Sequence, residues 1–230
     1  MPRNGIVPVD KLLPNVSWPE IGTALIDTLI MLGASLFFTL LLALPLGILM
    51  YLTASGNLKA NVGVHRIVSF LVNIVRSVPF IILMITVLPL TAFLTGTTLG
   101  VRGAIPPMVI AAVPFMARLV ELALREVDKG LVESGQAMAA TTWQCIRFIL
   151  LPEARPALIA AGTVTAIALI DYTAMAGVIG GGGLGDLAVR YGYQRFQTDV
   201  MVVTVALLVL LVQVLQFSGD RLVLHYTRRR

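Results

Sequence analysis

Residues 28–52, TLIMLGASLFFTLLLALPLGILMYL, contain no charged side chain. A hydrocarbon core is crossed by about 20 apolar residues in a helix, so this run is long enough. Lipid offers no hydrogen bonds to peptide groups, so only a helix or a closed barrel can cross it. No alternating ten-residue strand pattern appears anywhere in the chain, and helix remains. This one run commits the chain to an all-α integral membrane protein. Composition agrees, with only 13% charged residues where a soluble domain carries roughly 25%. The net charge of +5 implies no nucleic-acid partner, because no basic stripe is interleaved with aromatics and arginines belong at span ends. The single cysteine, Cys145, excludes an intrachain disulfide and a cysteine-only metal site, and reads as a small buried apolar residue.

The remaining spans follow in order. Residues 1–20, with Pro2, Pro8, Pro14 and Pro19, read as an irregular leader without the pattern of a cleaved signal, with Trp18 as an interfacial anchor. Residues 21–230 form a single transmembrane domain. Span one is 28–52, kinked near Pro45 and Gly47, and 53–66 is a loop. Residues 67–94 are apolar except for Asn73 and Arg76. A charge at mid-membrane costs about 2.5–3.5 kcal/mol. The preferred reading is therefore an interfacial lead-in ending at Arg76, a break at Pro79, and span two from there to about Thr95; one long tilted span is the alternative. After a loop at 96–104 comes span three, 105–124, where Arg118, Glu121 and Arg125 share a helical face and form a chain of ion pairs. Span four is 157–179, with Pro156 in its first turn. A glycine-rich loop at 180–197 holds a short helix near 184–191, and span five is 198–217.

Five spans put the termini on opposite sides. With the C-terminus inside, ten Lys and Arg fall in the cytoplasm (Lys59, Arg66, Arg125, Lys129, Arg147, Arg155, Arg221 and Arg228 to Arg230). Five fall outside: Arg3, Lys11, Arg102, Arg190 and Arg195. The bias places the N-terminus out and the C-terminus in.

That topology puts one polar stretch, VDKGLVESGQAMAATTWQCIRFILLPEARP at 127–156, in the cytoplasm. It reads as two short helices. Asp128 caps the first, where Glu133 stands near the N-terminus and Ser134, Gly135, Ala137 and Ala139 leave a flat surface for close approach. Thr141 and Gln144 fit a capping box for the second. Trp143, Ile146 and Leu150 recur at helical spacing, and Pro152 stops the run.

Glu133-Ser134-Gly135, Ala139 and Leu151-Pro152 resemble the EAA motif of ABC importer permeases: Glu-Ala-Ala, three residues, Gly, and a downstream Leu-Pro. Ser134 and Gly135 replace the two alanines, and Ala139 replaces the glycine; all are small, but the left-handed freedom of glycine is lost. The resemblance implies a cytoplasmic coupling helix pair docked in a groove of an ATPase subunit, with Glu133, Ser134, Gly135, Ala137, Ala139, Thr141, Trp143, Leu151 and Pro152 as its residues.

The second half of the chain narrows the family. Residues 171–201, DYTAMAGVIGGGGLGDLAVRYGYQRFQTDVM, resemble methionine importer permeases, as do RSVPFIIL (76–83), GTTLG (96–100) and PFMARLVE (114–121). The resemblance implies a type I ABC importer permease fold of five transmembrane helices in the bacterial cytoplasmic (inner) membrane. It further implies a homodimer, two cytoplasmic ATPase subunits that bind ATP and Mg, and an extracytoplasmic methionine-binding protein. This chain carries no cofactor of its own and is not an enzyme. Its lysines never follow glycine, so the phosphate-binding loop of nucleotide hydrolases is absent. Gly180, Gly182 and Gly185 match the dinucleotide fingerprint in form only, since no strand precedes them.

Tyr172 and Met175, near the outer end of span four, suit a thioether solute, and suit ordinary packing equally well. Asp171 reads either as a functional intramembrane acid or as a carboxylate near the outer interface, capped or paired with Arg190 or Arg195; its height on the helix favours the second. Alternatives to methionine import are the same machine for another small solute, and a secondary carrier or channel using Asp171, Arg76 or Glu121 as ion sites. Five spans and an ordered cytoplasmic helix pair argue against the carrier.

The charge bias makes a direct prediction. With Cys145 replaced by Ser, single cysteines at Ser55 and Thr141 should react with an impermeant thiol reagent only from inside, and one at Gly183 only from outside. Outside labelling at Thr141 overturns the topology.

Overall fold

The computed structural model describes residues 13–227. Most of the leader and the three terminal arginines lie outside the described residues. The first helix, α1, is Trp18–Thr53, ten residues longer at its start than the uncharged run. Pro19 is preset for a first helical turn and Glu20 favours the positive end of the helix dipole, so helix begins before the charges stop. The leader is therefore non-helical only through Ser17 among the described residues.

The break expected at Pro79, between the lead-in and span two, is present. α2 is Val62–Ser77 and α3 is Phe80–Thr95, bent by 108°. Val78 lies in extended backbone at φ −83°, ψ 125°, the region to which a following proline confines it. α2 starts inside the expected 53–66 loop, because Asn61 caps it by accepting from the Val64 amide at 3.1 Å. Among the described residues four helices are long and apolar enough to cross a membrane, and the bent pair, counted as one span, brings the number to five. α4, Gly100–Arg125, also begins earlier than expected, leaving only 96–99 as loop.

The coupling stretch forms α5, Lys129–Ala137, then α6, Thr142–Gln144. A π-helical turn, Cys145–Leu150, and α7, Leu151–Glu153, lead into α8, Arg155–Val178. Pro152 does not stop this run. The wider π turn before it relieves the clash of its ring with the preceding turn, and the chain bends only at Ala154. After the glycine loop come α9, Gly183–Leu187, a second π turn, Ala188–Tyr193, and α10, Thr198–Thr227, ten residues longer than expected.

The bundle is organised around α4, whose buried face takes up α1 along most of its length. Gly47 makes this possible: a Cβ there would lie 2.6 Å from the Ala117 carbonyl oxygen and from the Val120 Cβ. Three apolar clusters stack along the bundle. One lies by the coupling pair (Met50, Tyr51, Leu124, Ile146, Leu150), one in the middle (Met31, Met84, Met108, Leu169), and one by the glycine loop (Ile21, Ala24, Leu184, Leu187). Met31, Met50, Met84, Met108 and Met116 are fully buried, and their unbranched side chains fill irregular gaps between helices.

The glycine loop and the coupling pair occupy opposite ends. The Leu184 amide donates to Thr28 Oγ1 near the start of α1 at 2.9 Å, and Asn57 Nδ2 donates to the Tyr51 carbonyl at its other end. Asn15 binds Asp199 beside the first end, whereas Val223 and Thr227 border Glu153 and Ala154 at the second. The described chain thus starts and finishes at opposite ends of the bundle.

The close approach at Gly47 predicts that Gly47→Val costs about 1–3 kcal/mol through overpacking. The thermal midpoint of the purified protein should fall by several degrees, while Gly33→Val, where a Cβ meets nothing within 4 Å, should leave it in place.

Candidate coupling site and solute pathway

The coupling pair is built by local capping. Asp128 ends the connection from α4 and accepts from the Gly130 amide at 2.8 Å. α5 closes with a Schellman motif: the Ala140 amide donates to the Gly135 carbonyl at 3.0 Å and the Ala139 amide to that of Gln136 at 2.9 Å. The motif needs a left-handed residue at Ala139, which takes φ 58°. The position where the EAA motif has glycine thus keeps the glycine conformation without the glycine, at a cost of about 1–2 kcal/mol. The next helix opens on the capping box that its sequence predicts: Thr141 Oγ1 accepts from the Gln144 amide, and Gln144 Oε1 accepts from the Thr141 amide at 2.7 Å.

Gly135 has a different task from its neighbours. A Cβ on it would lie 2.5 Å from Ile149 Cδ1 and 3.5 Å from Cys145 Sγ. It lets the two helices of the pair close on each other, and Cys145 is buried in that contact as expected. Glu133, Ser134, Ala137, Ala139 and Thr141 are exposed, and Leu151 and Pro152 half-buried. Ile146 and Leu150 join the core, but Trp143 does not. Trp143, Phe148 and Met138 are 65%, 67% and 84% exposed, three large apolar side chains left uncovered on a polar stretch. Glu133 is the fifth of nine residues in α5, not near its start, so the helix dipole does little for it. It borders a cleft shared with Tyr51, Asn57 and Lys129.

The expected ion pairs are present. Glu121, fully buried, accepts from Arg118 Nη1 and Arg125 Nη2 at 2.5 Å each. Two guanidinium groups compensate one desolvated carboxylate and hold the end of α4 rigid.

At the other end Gly180, Gly182 and Gly183 take positive φ, and the Gly180 carbonyl accepts from the Gly100 amide at 2.8 Å. A Cβ on Gly177 would lie 2.5 Å from the Gly185 carbonyl carbon, so backbones of α8 and α9 touch. Asp171 does not pair with Arg190 or Arg195. Arg190 is held at 2.8 Å by Asp186, four residues earlier on the same turn, and the Arg195 guanidinium sits 4.7 Å from the Tyr191 ring centroid.

Of the two pathway candidates, only Tyr172 meets other functional groups. Its ring stacks on Phe80 with centroids 4.2 Å apart and planes within 9°, beside Arg76 and Phe115. Met175 is 45% exposed and does not line that pocket. Reading α8 alone does not reveal Phe80 and Phe115, which come from two other helices; the break at Pro79 is the signal that points there.

Residues 43–230 match the family described as binding-protein-dependent transport system inner membrane component. The chain belongs to this family. As a multi-pass inner membrane component it is similar to a probable D-methionine transport system permease protein, MetI, of Vibrio cholerae. The two are 46% identical over 201 residues, 87% of this chain and 89% of that protein. The methionine import system permease protein MetP of Bacillus subtilis is 47% identical over 92% of this chain and 95% of its own length. Among solved structures, a chain of the inward-facing MetNI methionine ABC transporter superposes with a TM-score of 0.90. It is 44% identical, over 92% of this chain and 99% of that one. An amino acid ABC transporter crystallised with histidines, 17% identical with a TM-score of 0.69, shares the fold.

The strain at Ala139 generates a prediction. Ala139→Gly should raise the thermal midpoint of the purified protein, by a stability gain of about 1 kcal/mol, while Ala139→Val should lower it.

Proposed function

We propose that this inner membrane component is the permease subunit of an ATP-driven importer for methionine. Two copies form the pathway, two cytoplasmic ATPase subunits bind ATP and Mg and hydrolyse the nucleotide, and an extracytoplasmic methionine-binding protein delivers the solute. The chain itself is not an enzyme. The N-terminus is outside and the C-terminus inside, so the coupling pair at 127–156 faces the cytoplasm.

One geometric observation carries the mechanism: a rigidly capped helix pair presents Trp143, Phe148 and Met138 to solvent at one end of an apolar bundle. Large apolar groups exposed together mark a docking surface. Glu133, Ser134, Ala137, Ala139, Thr141, Trp143, Leu151 and Pro152 serve this dock, and Gly135 holds its two helices together. The second helix of the pair runs on into α8, so a displacement of the docked pair is passed to the helix that carries Tyr172. Alternating access follows when the ATPase subunits close and open around nucleotide.

Glu133 is free to accept charge-assisted hydrogen bonds from an ATPase arginine, worth about 1.5–3 kcal/mol. Glu133→Ala, Trp143→Ala and Ala139→Trp should each insert at normal levels but lose most ATP-dependent methionine uptake in proteoliposomes, with the ATPase released or its hydrolysis uncoupled. Normal uptake with the ATPase still bound in all three would remove the dock from this stretch. Absence of methionine uptake by the wild-type complex, supplied with its binding protein, would overturn the choice of solute.

A further inference from the structure

The corner between α2 and α3 borders a partly open cavity of about 140 Å³ whose lining includes Arg76, Phe80, Leu83, Ala111, Phe115 and Tyr172. Three features coincide there. The first is a cation without a counter-ion: Arg76 forms no ion pair with any described residue. Its guanidinium carbon lies 5.9 Å from the Phe115 ring centroid, near the limit of a cation–π contact. That leaves its planar fork of N–H donors available to a carboxylate. The second is an aromatic wall, Phe80 stacked on Tyr172, closed by Phe115. The third is the space itself. A cavity of about 150 Å³ holds a benzene molecule, so this one takes a short unbranched side chain and not a large solute.

Ordinary packing accounts for the stacked rings but not for the rest. Arg76, which ends the interfacial lead-in and is exposed there, borders this cavity without an acidic partner among the described residues, and stacking of the rings does not require a guanidinium beside them. The break at Val78 and Pro79 also places the amino-terminal end of α3, where anionic groups are favoured, at the same corner.

We propose that this pocket is a binding site for a zwitterionic amino acid with an apolar side chain. Arg76 takes the α-carboxylate through paired N–H donors. The Phe80–Tyr172 stack and Phe115 hold the side chain, a thioether when the solute is methionine. The inference rests on the transport reading above and deepens it. The four contributing helices, α2, α3, α4 and α8, are separate elements, so a shift of α8 against the others would open or close the pocket.

The test is equilibrium binding of radiolabelled L-methionine to the purified permease–ATPase complex without its binding protein, beside uptake by the same preparation in proteoliposomes with that protein present. Wild type should bind, and L-methioninol, which lacks the carboxylate, should not compete. Arg76→Gln should weaken binding at least tenfold, with Arg76→Lys between the two, and Phe80→Ala should weaken it while methioninol still fails to compete. Gel filtration with the ATPase identifies any variant that fails to assemble, and Arg76→Lys then decides the role of charge. Wild-type affinity in Arg76→Gln, equal competition by methioninol, or no binding by a wild-type complex that transports methionine would each overturn the site. Failure of the wild-type complex to transport methionine overturns the transport reading instead, and the same binding series with the solute it does carry then judges the pocket.

Discussion

Hydrocarbon gives a peptide group nothing to bond with, and this constraint shapes the protein more than any single contact does. Every crossing segment must satisfy its own backbone, so charge-free runs become helices whatever their side-chain propensities. Prolines are then tolerated where a neighbouring turn can adjust. Pro45, Pro106, Pro107 and Pro114 sit inside helices, and Pro152 follows a π turn that makes room for it. Only at Pro79 does the helix break, and that break makes a corner instead of a straight span.

Packing between the helices depends on close approach at small residues, because lipid supplies little drive for apolar side chains to leave it. Gly47 brings α1 onto α4, Gly219 brings α10 onto α8, and Gly177 with Gly185 brings α8 onto α9. Between these fixed points lie buried methionines, with Ser35 donating to Met108 Sδ and Thr165 to Met116 Sδ. Close glycine contacts thus alternate with methionine layers whose unbranched side chains adapt to irregular gaps.

The two ends are linked by one continuous run. From Thr142 the chain stays helical through the π turn and the bend at Ala154 into α8. Tyr172 stands seventeen residues beyond Arg155 on that helix, or about 26 Å at 1.5 Å per residue. Near the start of that run, the fully buried Glu121 carboxylate is paired with Arg118 and Arg125 on its own helix, α4.

The class of the protein, the break at Pro79, the caps at Asp128 and Thr141, the ion pairs of Glu121 and the two-helix form of 127–156 were all legible in the sequence. Each follows from local rules: apolar length, proline geometry, side-chain reach to nearby amides and helical spacing. Helix ends were less legible, since α1, α2, α4 and α10 run past the charges expected to bound them. A polar residue is no obstacle to a helix once a cap such as Asn61 is in place. What only the tertiary structure decided lies between elements. Gly135 turns inward to Ile149, Asp171 loses Arg190 to Asp186, and Tyr172 meets Phe80, Phe115 and Arg76 while Met175 stays outside. Such pairings depend on which faces of distant helices are rotated together, and helical spacing gives the face of one helix but not its partner.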